Sequence, residues 1–382
     1  MLIVADINTL WRHRPFEALG QQTPVLGLAP MDPLVAWRRH RWPLLRIPAA
    51  SHAGFSPLPV LLPPGWASRR ADTALPRLWK KAVAWCRARG EKPQGLFVTS
   101  PHYLSLVTLA RNEVPCYYYC SDDYRSYSGW GGDEIKEKEC LLATHVNHVF
   151  FVSQLLADRA MADYGISAGK VSVSMNATEE AFLQPVEAGE IQEIFTAHPN
   201  LRHPVAGIVG GVNDRLDFEL LQVCAELPEL GTLLLVGPVE DSLSPALQLL
   251  RKHPKCLFVG NQPHAKLPRW LQLLDVALIP YRNTGLNRYC SPLRLFDHLA
   301  SGRPILATDA CPQVTAMKPW VHVAYEPQLF LEMLAALLRD GTTPLSTGME
   351  DHTHRHTWAA RARFMWEKIT IGRSLSSQIT RQ

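Results

Sequence analysis

Short apolar segments alternate with longer helical segments along the whole chain, and this alternation restricts the fold more than any other feature. In the first half, buried strands are predicted at residues 2–5, 95–99, 116–119 and 148–152. The pattern restarts in the second half at residues 205–209, 232–237, 256–260, 275–280 and 304–307. Such alternation predicts an α/β protein with parallel sheets and helices on their faces.

The length of 382 residues exceeds what one compact core usually supports, so two domains are expected. We predict an N-terminal domain at residues 1–186, a connector at 187–204, a second domain at 205–355 and a final helix within 356–382. Residues 46–62 are rich in proline, which indicates a loop or an edge region. A composition that is 47% hydrophobic and 19% charged is typical of a globular protein.

Targeting and redox features are sparse in the sequence. The apolar runs are far shorter than the ~20 residues of a membrane span, and residues 1–6 resemble a first buried strand rather than a signal peptide. The eight cysteines form no C-x-x-C pair, so reduced thiols in a cytoplasmic protein are expected. The histidines match no strong zinc spacing, and we predict no metal site.

The most informative segment for function is residues 281–308, YRNTGLNRYCSPLRLFDHLASGRPILAT. A helix is predicted to open with Ser291 as its cap and Pro292 at its first position. With Leu293 and Arg294, this helix start offers free amides and a guanidinium to an anion. Asp297 lies about one turn later on the same side, where a carboxylate can bind ribose hydroxyls. The segment therefore predicts a site for a nucleoside diphosphate.

This segment resembles the donor-binding helix of GT-B glycosyltransferases that build surface polysaccharides and teichuronic-type polymers. Their motif typically reads N-P-L-K, an aromatic residue and Glu, then A-x-G-x-P-V and A-T; residues 291–308 read S-P-L-R-L-F-D-H-L-A-S-G-R-P-I-L-A-T. The resemblance implies two doubly wound Rossmann-like domains facing a cleft, with a C-terminal helix that crosses back to the first domain. It also implies a metal-independent, hexosyl-type transferase without a cofactor, whose donor substrate is a nucleotide-diphosphate sugar.

A glycine turn, G-I-V-G-G-V-N-D-R, follows the first strand of the second domain. Gly210 and Gly211 allow the backbone to approach a phosphate, and Arg215 can pair with it, although such turns are as often structural. Related polysaccharide transferases often carry G, two hydrophobic residues and G at this place. The spacing is not G-x-G-x-x-G, which counts against a dinucleotide-dependent oxidoreductase.

A second loop, residues 259–264, follows another predicted strand of the second domain. In related enzymes the corresponding loop receives the nucleobase, which implies this role for Gln262, Pro263 and His264. A plain turn between strand and helix explains the same residues without a ligand.

The candidate catalytic base lies at the end of a strand in the first domain, in the segment C-S-D-D-Y. A carboxylate there can remove the proton of an acceptor hydroxyl. Adjacent side chains in an extended backbone point to opposite sides, so only one of Asp122 and Asp123 can face the substrate. Xanthan-type glucuronosyltransferases show a similar strand-Ser-Asp pattern, which favours Asp122 and leaves Asp123 as the reserve; a turn or helix cap is the structural alternative.

Three further residues are candidates for the cleft or the acceptor. Arg14 begins an R-P-x-x-L pattern that teichuronic-type transferases often carry, although Pro15 equally explains a helix start. Asn176 is what remains of the P-N-G-V-D segment of the family, and an interdomain structural role suits it better. Tyr289 stands where the commonest retaining branch has the first of two glutamates, so the stereochemistry of transfer stays open.

Basic residues and tryptophans are concentrated between residues 33 and 90, which contain eleven lysines or arginines, one acidic residue and five of the eleven tryptophans. An anionic membrane surface or a lipid-linked acceptor is the first interpretation, ahead of nucleic acid, because no nucleic-acid motif accompanies the region. A solvated basic face over core tryptophans is the alternative.

The sequence thus predicts transfer of a sugar from a nucleotide donor to a polysaccharide or lipid-linked acceptor, at the cytoplasmic face of a membrane. A nucleotide-sugar epimerase of the same fold is one alternative. A catalytically inactive binding or scaffold subunit is another, given Tyr289.

Overall fold

A computed structural model describes residues 1–33, 54–67, 70–127, 129, 132–240, 244–341 and 349–379, with backbone alone at 349–350 and 372–379. The chain divides into two compact units, Met1–Asn176 with Trp358–Gln382, and Ala177–Thr357. The second unit therefore begins inside the segment 1–186 that we assigned to the first domain, and it includes the connector 187–204.

The first unit is built on a parallel sheet whose strand order is β3-β2-β1-β4-β5-β6-β7. Its strands are β1 (Leu2–Ala5), β2 (Val25–Met31), β3 (Phe55–Leu61), β4 (Gly95–Val98), β5 (Cys116–Cys120), β6 (His148–Phe151) and β7 (Val171–Val173). Its helices are α1 (Leu10–Leu19), α2 (Ala71–Arg87), α3 (Leu104–Ala110), α4 (Gly132–His145) and α5 (Gln154–Tyr164). Strand β3 lies at one edge, where its prolines Pro57 and Pro59 are tolerated. The expected edge region is thus β3, while residues 46–53 lie outside the described residues.

The second unit contains a parallel sheet with the order β10-β9-β8-β11-β12-β13. Its strands are β8 (Val205–Val209), β9 (Thr232–Val236), β10 (Cys256–Gly260), β11 (Val276–Ile279), β12 (Ile305–Thr308) and β13 (His322–Ala324). Its helices are α6 (Ala188–Ala197), α7 (Phe218–Glu226), α8 (Pro245–Leu250), α9 (Leu267–Gln272), α10 (Gly285–Tyr289), α11 (Leu293–Ala300), α12 (Pro312–Thr315), α13 (Pro327–Asp340) and α14 (Met349–His354). Helix α6 occupies the predicted connector.

The central strands are apolar along their whole length because helices cover both faces of a parallel sheet. Every residue of β1, β8, β9 and β11 is buried. This burial explains why the strands appear in the sequence as uninterrupted apolar runs, within a residue or two of the predicted bounds.

The final helix, α15 (Trp358–Ile379), belongs to the first unit and packs against α1. The predicted return of the last helix to the first domain is therefore confirmed. No helix in the described parts of the chain is both long enough and apolar enough to cross a bilayer.

The two ends of the second unit lie next to each other in space, although they are far apart in the sequence. Thr178 and Thr357 form an isolated parallel bridge, and the amide of Thr178 donates to the carbonyl oxygen of His356 at 3.0 Å. The whole unit is thus a single stretch of chain between two adjoining ends.

In each sheet the strand order reverses at one position, between β1 and β4 in the first and between β8 and β11 in the second. Ligands of doubly wound sheets bind outside the carboxyl ends of the strands at such a switch point. Asp6 follows β1, and Gly210 follows β8. These two positions locate the candidate sites of the two units.

Candidate functional site

Helix α11 is held on its sheet by Leu295, Phe296 and Leu299, which are almost completely buried. The helix starts at Leu293, because Pro292 keeps an extended backbone with ψ of 123° and forms the N-cap. The prediction that Ser291 caps the helix and Pro292 opens it was therefore wrong by one residue. Ser291 is buried just ahead of the cap.

Arg294 joins this helix to the glycine turn after β8. Its Nη2 donates to the carbonyl oxygen of Gly211, and its guanidinium lies over the ring of Tyr281, 5.4 Å from the centroid. A side chain at position 210 would stand 3.5 Å from Nη2, and Gly210 has a φ of +132° that disfavours other residues. Arg294 is only 8% exposed, and its Nη1 is buried without a hydrogen-bond partner among the described residues. The turn and the helix thus surround a buried donor that suits an anion.

The residue that fixes the far end of the glycine turn is Asn287, which the sequence reasoning missed. Its Nδ2 donates to the carbonyl oxygens of Arg215 and Arg282 at 2.9 and 2.8 Å, and its side chain is completely buried. The amide of Arg282 also donates to the Arg215 carbonyl at 2.9 Å. The only sequence signal is Thr284, whose hydroxyl caps α10 at the amide of Asn287.

Arg215 adds a second positive charge at this edge of the sheet. Burial raises the pKa of the Tyr281 hydroxyl to about 12, and the charges of Arg294 and Arg215 oppose that rise. Both guanidinium groups are therefore near the same tyrosine at the carboxyl end of β11. The predicted diphosphate contacts Gly210, Gly211, Arg215 and Arg294 are brought together by the fold.

Asp297 lies one turn further along α11 and accepts a hydrogen bond from the Thr178 hydroxyl at 2.8 Å. Burial raises the pKa of its carboxyl to about 7, and the Thr178 hydrogen bond limits the rise. Asp297 is therefore a carboxyl group that changes its charge near neutral pH.

The predicted nucleobase loop follows β10. Gln262 and Pro263 precede a short 3-10 turn, His264–Lys266. The ring of His264 lies 2.7 Å from Glu179 and 5.0 Å from the ring of Phe182. His264 is also close enough to Asp297 for its charge to act on that carboxyl group. The loop thus lies near α11, with its histidine paired to a glutamate of the same unit.

Tyr289 is the last residue of α10 and is partly exposed. The next residue, Cys290, has its sulfur 3.9 Å from that of Cys311, and the two buried cysteines do not form a disulfide. No carboxylate therefore stands at the position of the first motif glutamate.

In the first unit, Asp122 and Asp123 have different partners. The Asp122 carboxylate accepts from the Tyr127 hydroxyl at 2.6 Å and from the Asp123 amide at 2.9 Å. Asp123 is 1% exposed, and both its oxygens are bound by the guanidinium of Arg159. This bidentate ion pair suits a structural role for Asp123 and leaves Asp122 as the better candidate for the base.

The two remaining first-unit candidates are Arg14 and Asn176. Arg14 donates to Glu17 of its own helix at 2.6 Å, and Asn176 is buried after β7. The arginine that reaches the end of β5 is Arg12, which donates to Ser121 and Tyr124. Arg12 stands two residues before the Arg14 of the R-P-x-x-L pattern, and sequence reasoning missed it.

The described residues contain no group of three or more His, Cys, Asp or Glu side chains arranged to hold a metal ion.

A known protein family matches a part of the chain that lies within the second unit. Residues 203–340 match the family described as glycosyl transferases group 1. The chain is 29% identical over 162 residues to the putative teichuronic acid biosynthesis glycosyltransferase TuaH of Bacillus subtilis (strain 168). This match spans 40% of the present chain and 40% of the length of that relative.

Solved structures resemble the chain over its full length. Sucrose-phosphate synthase from Thermosynechococcus elongatus has a TM-score of 0.72 at 15% identity, with 99% of each chain covered. Anabaena HepE, solved in complex with UDP-glucose, has a TM-score of 0.63 at 12% identity, with 100% of this chain and 99% of that chain covered. At such low identity the similarity concerns the fold. The chain therefore has the two-sheet GT-B fold that its sequence predicted, and residues 203–340 carry the sequence pattern of glycosyl transferases group 1.

Proposed function

We propose that the chain is a nucleotide-sugar-dependent glycosyltransferase that acts in polysaccharide biosynthesis, with a hexosyl donor and a carbohydrate or lipid-linked acceptor. The observation that carries this proposal is Arg294, whose buried Nη1 has no partner among the described residues and which is bound to the glycine turn after β8. The family match at residues 203–340 supports the same activity.

The donor-site candidates of the second unit have the following roles in this proposal. Arg294, Arg215 and the amide of Gly211 bind the diphosphate and neutralise the charge that develops on it as the sugar leaves. The Gly210 amide donates to the Val236 carbonyl, so Gly210 contributes the close approach of its backbone. Asp297 binds the ribose hydroxyls. Because protein charges supply this neutralisation, transfer is expected to persist when divalent cations are chelated.

Asp122 is proposed to remove the proton of the acceptor hydroxyl. Its carboxylate accepts from the Asp123 amide and from the Tyr127 hydroxyl, and these two hydrogen bonds orient it. A base that acts directly on the acceptor favours inversion at the donor carbon.

Nucleotide binding tests the donor site. Thermal unfolding is measured with UDP, GDP and ADP, because a ligand of the folded state raises the unfolding temperature with concentration. In Arg294→Gln the affinity is expected to fall by at least about tenfold, since hydrogen bonds from a charged group contribute about 1.5–3 kcal/mol. Arg303→Gln is the matched control, because that guanidinium binds the Gln272 carbonyl in the same unit. A protein that no nucleotide stabilises contradicts the donor site.

Product analysis separates the proposal from its alternatives. Incubation with a panel of nucleotide sugars, with and without EDTA, is expected to release the nucleotide, and Asp122→Asn is expected to slow transfer with unchanged nucleotide binding. Formation of an epimer without acceptor indicates the epimerase. Tight binding without turnover, unaltered in Asp122→Ala, indicates an inactive binding subunit.

We also propose that the basic region contacts an anionic membrane surface, with helix α2 as its described part. Arg77, Lys80, Lys81 and Arg87 are exposed on this helix, and the guanidinium of Arg89 lies 3.6 Å from the ring centre of Trp85. Lysine and arginine near an anionic surface each contribute about 1 kcal/mol.

Part of the region 33–90 cannot take the role that its composition indicated. Trp79 is 3% exposed and belongs to the core under α2, where its Nε1 donates to Glu113. Two of the tryptophans and five of the arginines of this region lie outside the described residues: Trp37, Trp42, Arg38, Arg39, Arg41, Arg46 and Arg69.

Vesicle flotation tests this surface. Binding is expected with phosphatidylglycerol vesicles and not with phosphatidylcholine vesicles, and it should weaken with salt and in the double variant Lys80→Gln/Lys81→Gln. Equal binding to both kinds of vesicle contradicts an electrostatic surface.

A further inference from the structure

Asp6 has an unusual backbone at the switch point of the first sheet. It follows β1 directly, is 7% exposed, and is the one non-glycine residue with positive φ, +77°, among the described residues. The amides of Asp6 and Ile7 both donate to the Leu28 carbonyl, and the Asn8 amide donates to Oδ1 of Asp6. Non-glycine residues with such rarely populated φ and ψ values occur most often at functional sites.

Arg12 of α1 is the partner of this aspartate. Its Nη1 lies 2.5 Å from Oδ2 of Asp6, its Nε donates to the Ser121 hydroxyl at 3.4 Å, and its Nη2 donates to the Tyr124 hydroxyl at 3.2 Å. Arg12 itself is 9% exposed. One guanidinium thus links the end of β1 to the segment after β5.

The residues that Arg12 holds are those on either side of the aspartate pair. Ser121 and Tyr124 also bind each other at 2.8 Å, and the Tyr124 hydroxyl donates to the Thr99 carbonyl at the end of β4. At the other side, Arg159 holds Asp123. The backbone of Asp122 is therefore fixed between two arginine-centred networks.

The charge of Arg12 is stable in this position. Burial acts to lower its pKa, but Tyr124 and Asp6 more than offset that effect, and the pKa lies above its ordinary value. A buried ion pair is a weak source of stability, because apolar residues of the same volume often do as well. The network is better explained by the geometry that it imposes.

We infer that Arg12 is a positioning residue for the transfer reaction, oriented by Asp6 and acting by holding Ser121 and Tyr124 so that Asp122 faces the acceptor hydroxyl. This inference rests on the proposed function of Asp122. Arg12 binds side chains of its own unit. We expect it to affect the catalytic step and not donor binding, because the proposed donor contacts belong to the second unit.

Steady-state kinetics with chemical rescue test the inference. In Arg12→Ala the kcat of transfer is expected to fall about 100-fold, the size of effect that a misplacement of about 1 Å produces. The KM for the nucleotide sugar should stay within about twofold, because uniform donor binding is unchanged. Millimolar guanidinium chloride should restore kcat at least about tenfold at a temperature where the variant is fully folded, so that the gain in kcat cannot come from refolding.

Two further variants keep the test decisive. If Arg12→Ala does not fold, Asp6→Asn/Arg12→Gln removes both charges together and leaves no uncompensated buried carboxylate. The same loss of kcat is expected from it. Lys138→Gln, which breaks the exposed ion pair with Glu134 in the same unit, should retain wild-type activity.

The outcomes separate the inference from the function on which it rests. Wild-type kcat in a folded Arg12 variant, or a loss that guanidinium does not restore, overturns the role of Arg12 while transfer by the wild type stands. A wild-type activity that Asp122→Asn does not diminish overturns both the base and its positioning residue. A wild-type protein without turnover from any nucleotide sugar overturns the proposed function and this inference together.

Discussion

At the scale of single residues, Asp297 and Arg294 lie one turn apart, yet burial governs the ionisation of the aspartate. Burial raises the pKa of Asp297 to about 7, and the hydrogen bond from Thr178 and the charges of His264 and Arg294 act against it. Below this pKa the carboxyl is protonated and loses acceptor capacity for ribose hydroxyls. A proton therefore competes with the proposed donor near neutral pH.

We expect the affinity for the nucleotide sugar to rise between pH 6 and pH 8, because Asp297 binds hydroxyl donors better when it is ionised. The diphosphate diester of the donor does not titrate in this range. In Asp297→Asn the affinity should be lower at pH 8, by about tenfold, and independent of pH. Isothermal titration calorimetry at several pH values measures both effects.

The control for this pH dependence is His264→Gln, because the charge of His264 acts on the Asp297 carboxyl. It should keep the slope of the wild type. If the affinity still depended on pH in Asp297→Asn but not in His264→Gln, the pH dependence would come from the histidine and not from Asp297.

At the scale of elements, the turns that follow β8 and β9 are in direct contact. Gly237 has a φ of +141°, and a Cβ at this position would lie 2.2 Å from the carbonyl oxygen of Gly210. Gly237→Ala must therefore displace the glycine turn after β8, which is the proposed diphosphate contact. We expect a loss of about 2–4 kcal/mol in the free energy of unfolding and weaker nucleotide binding.

Gly341→Ala is the control for Gly237→Ala. Gly341 follows α13 and also has positive φ, +73°, but a Cβ there meets nothing within 4 Å. Its cost should be limited to backbone strain, about 1–2 kcal/mol, with nucleotide affinity unchanged. Urea unfolding and calorimetry compare the two variants; equal effects on affinity would contradict the contact with Gly210.

The start of β8 is joined to β11 by an ion pair whose strength depends on pH. Oδ2 of Asp275 lies 2.6 Å from Nδ1 of His203 and accepts from the Val205 amide at 2.6 Å. The hydrogen bond to Asp275 raises the pKa of His203. Burial alone would raise the pKa of Asp275, but its hydrogen bonds with His203 and Val205 lower it.

We expect His203→Gln to destabilise the protein most between about pH 4 and about pH 6.5. His203, whose pKa is raised by folding, contributes stability that is lost as pH rises through its folded pKa. Asp275, whose pKa is lowered by folding, contributes stability that is lost as pH falls through its folded pKa. The difference should be about 0.5 kcal/mol, because a pair with a nearly half-exposed histidine is screened. Thermal unfolding across pH measures it, and a difference that does not vary with pH would contradict the ion pair.

The sequence predicted elements better than contacts. Most strands of both sheets followed from apolar runs, because a strand covered on both faces must be apolar throughout. The return of α15 followed from the family resemblance. Asn287 and Arg12 were missed, since their roles depend on carbonyls and hydroxyls that only the folded chain brings near. The start of α11 was misplaced because the backbone of Pro292, and not its residue type, decides which position is the cap.

At the scale of the whole molecule, the second unit is one continuous stretch, Ala177–Thr357, with its own six-stranded sheet. It contains all the residues of the proposed donor site. We expect a fragment of residues 177–357 to fold alone and to bind the nucleotide with an affinity within about tenfold of the full chain. Circular dichroism and calorimetry check this, and a fragment that stays unfolded would contradict the independence of the unit.

The bridge between Thr178 and Thr357 has a consequence for how such chains can diversify. Because the two ends of the second unit adjoin, this unit can be replaced as a whole through two neighbouring junctions. A foreign unit whose ends are similarly spaced can be joined there without a long linker. Under the proposed function, recombination at these junctions would exchange the donor specificity of an enzyme in one event while the acceptor-side half of the chain is inherited unchanged.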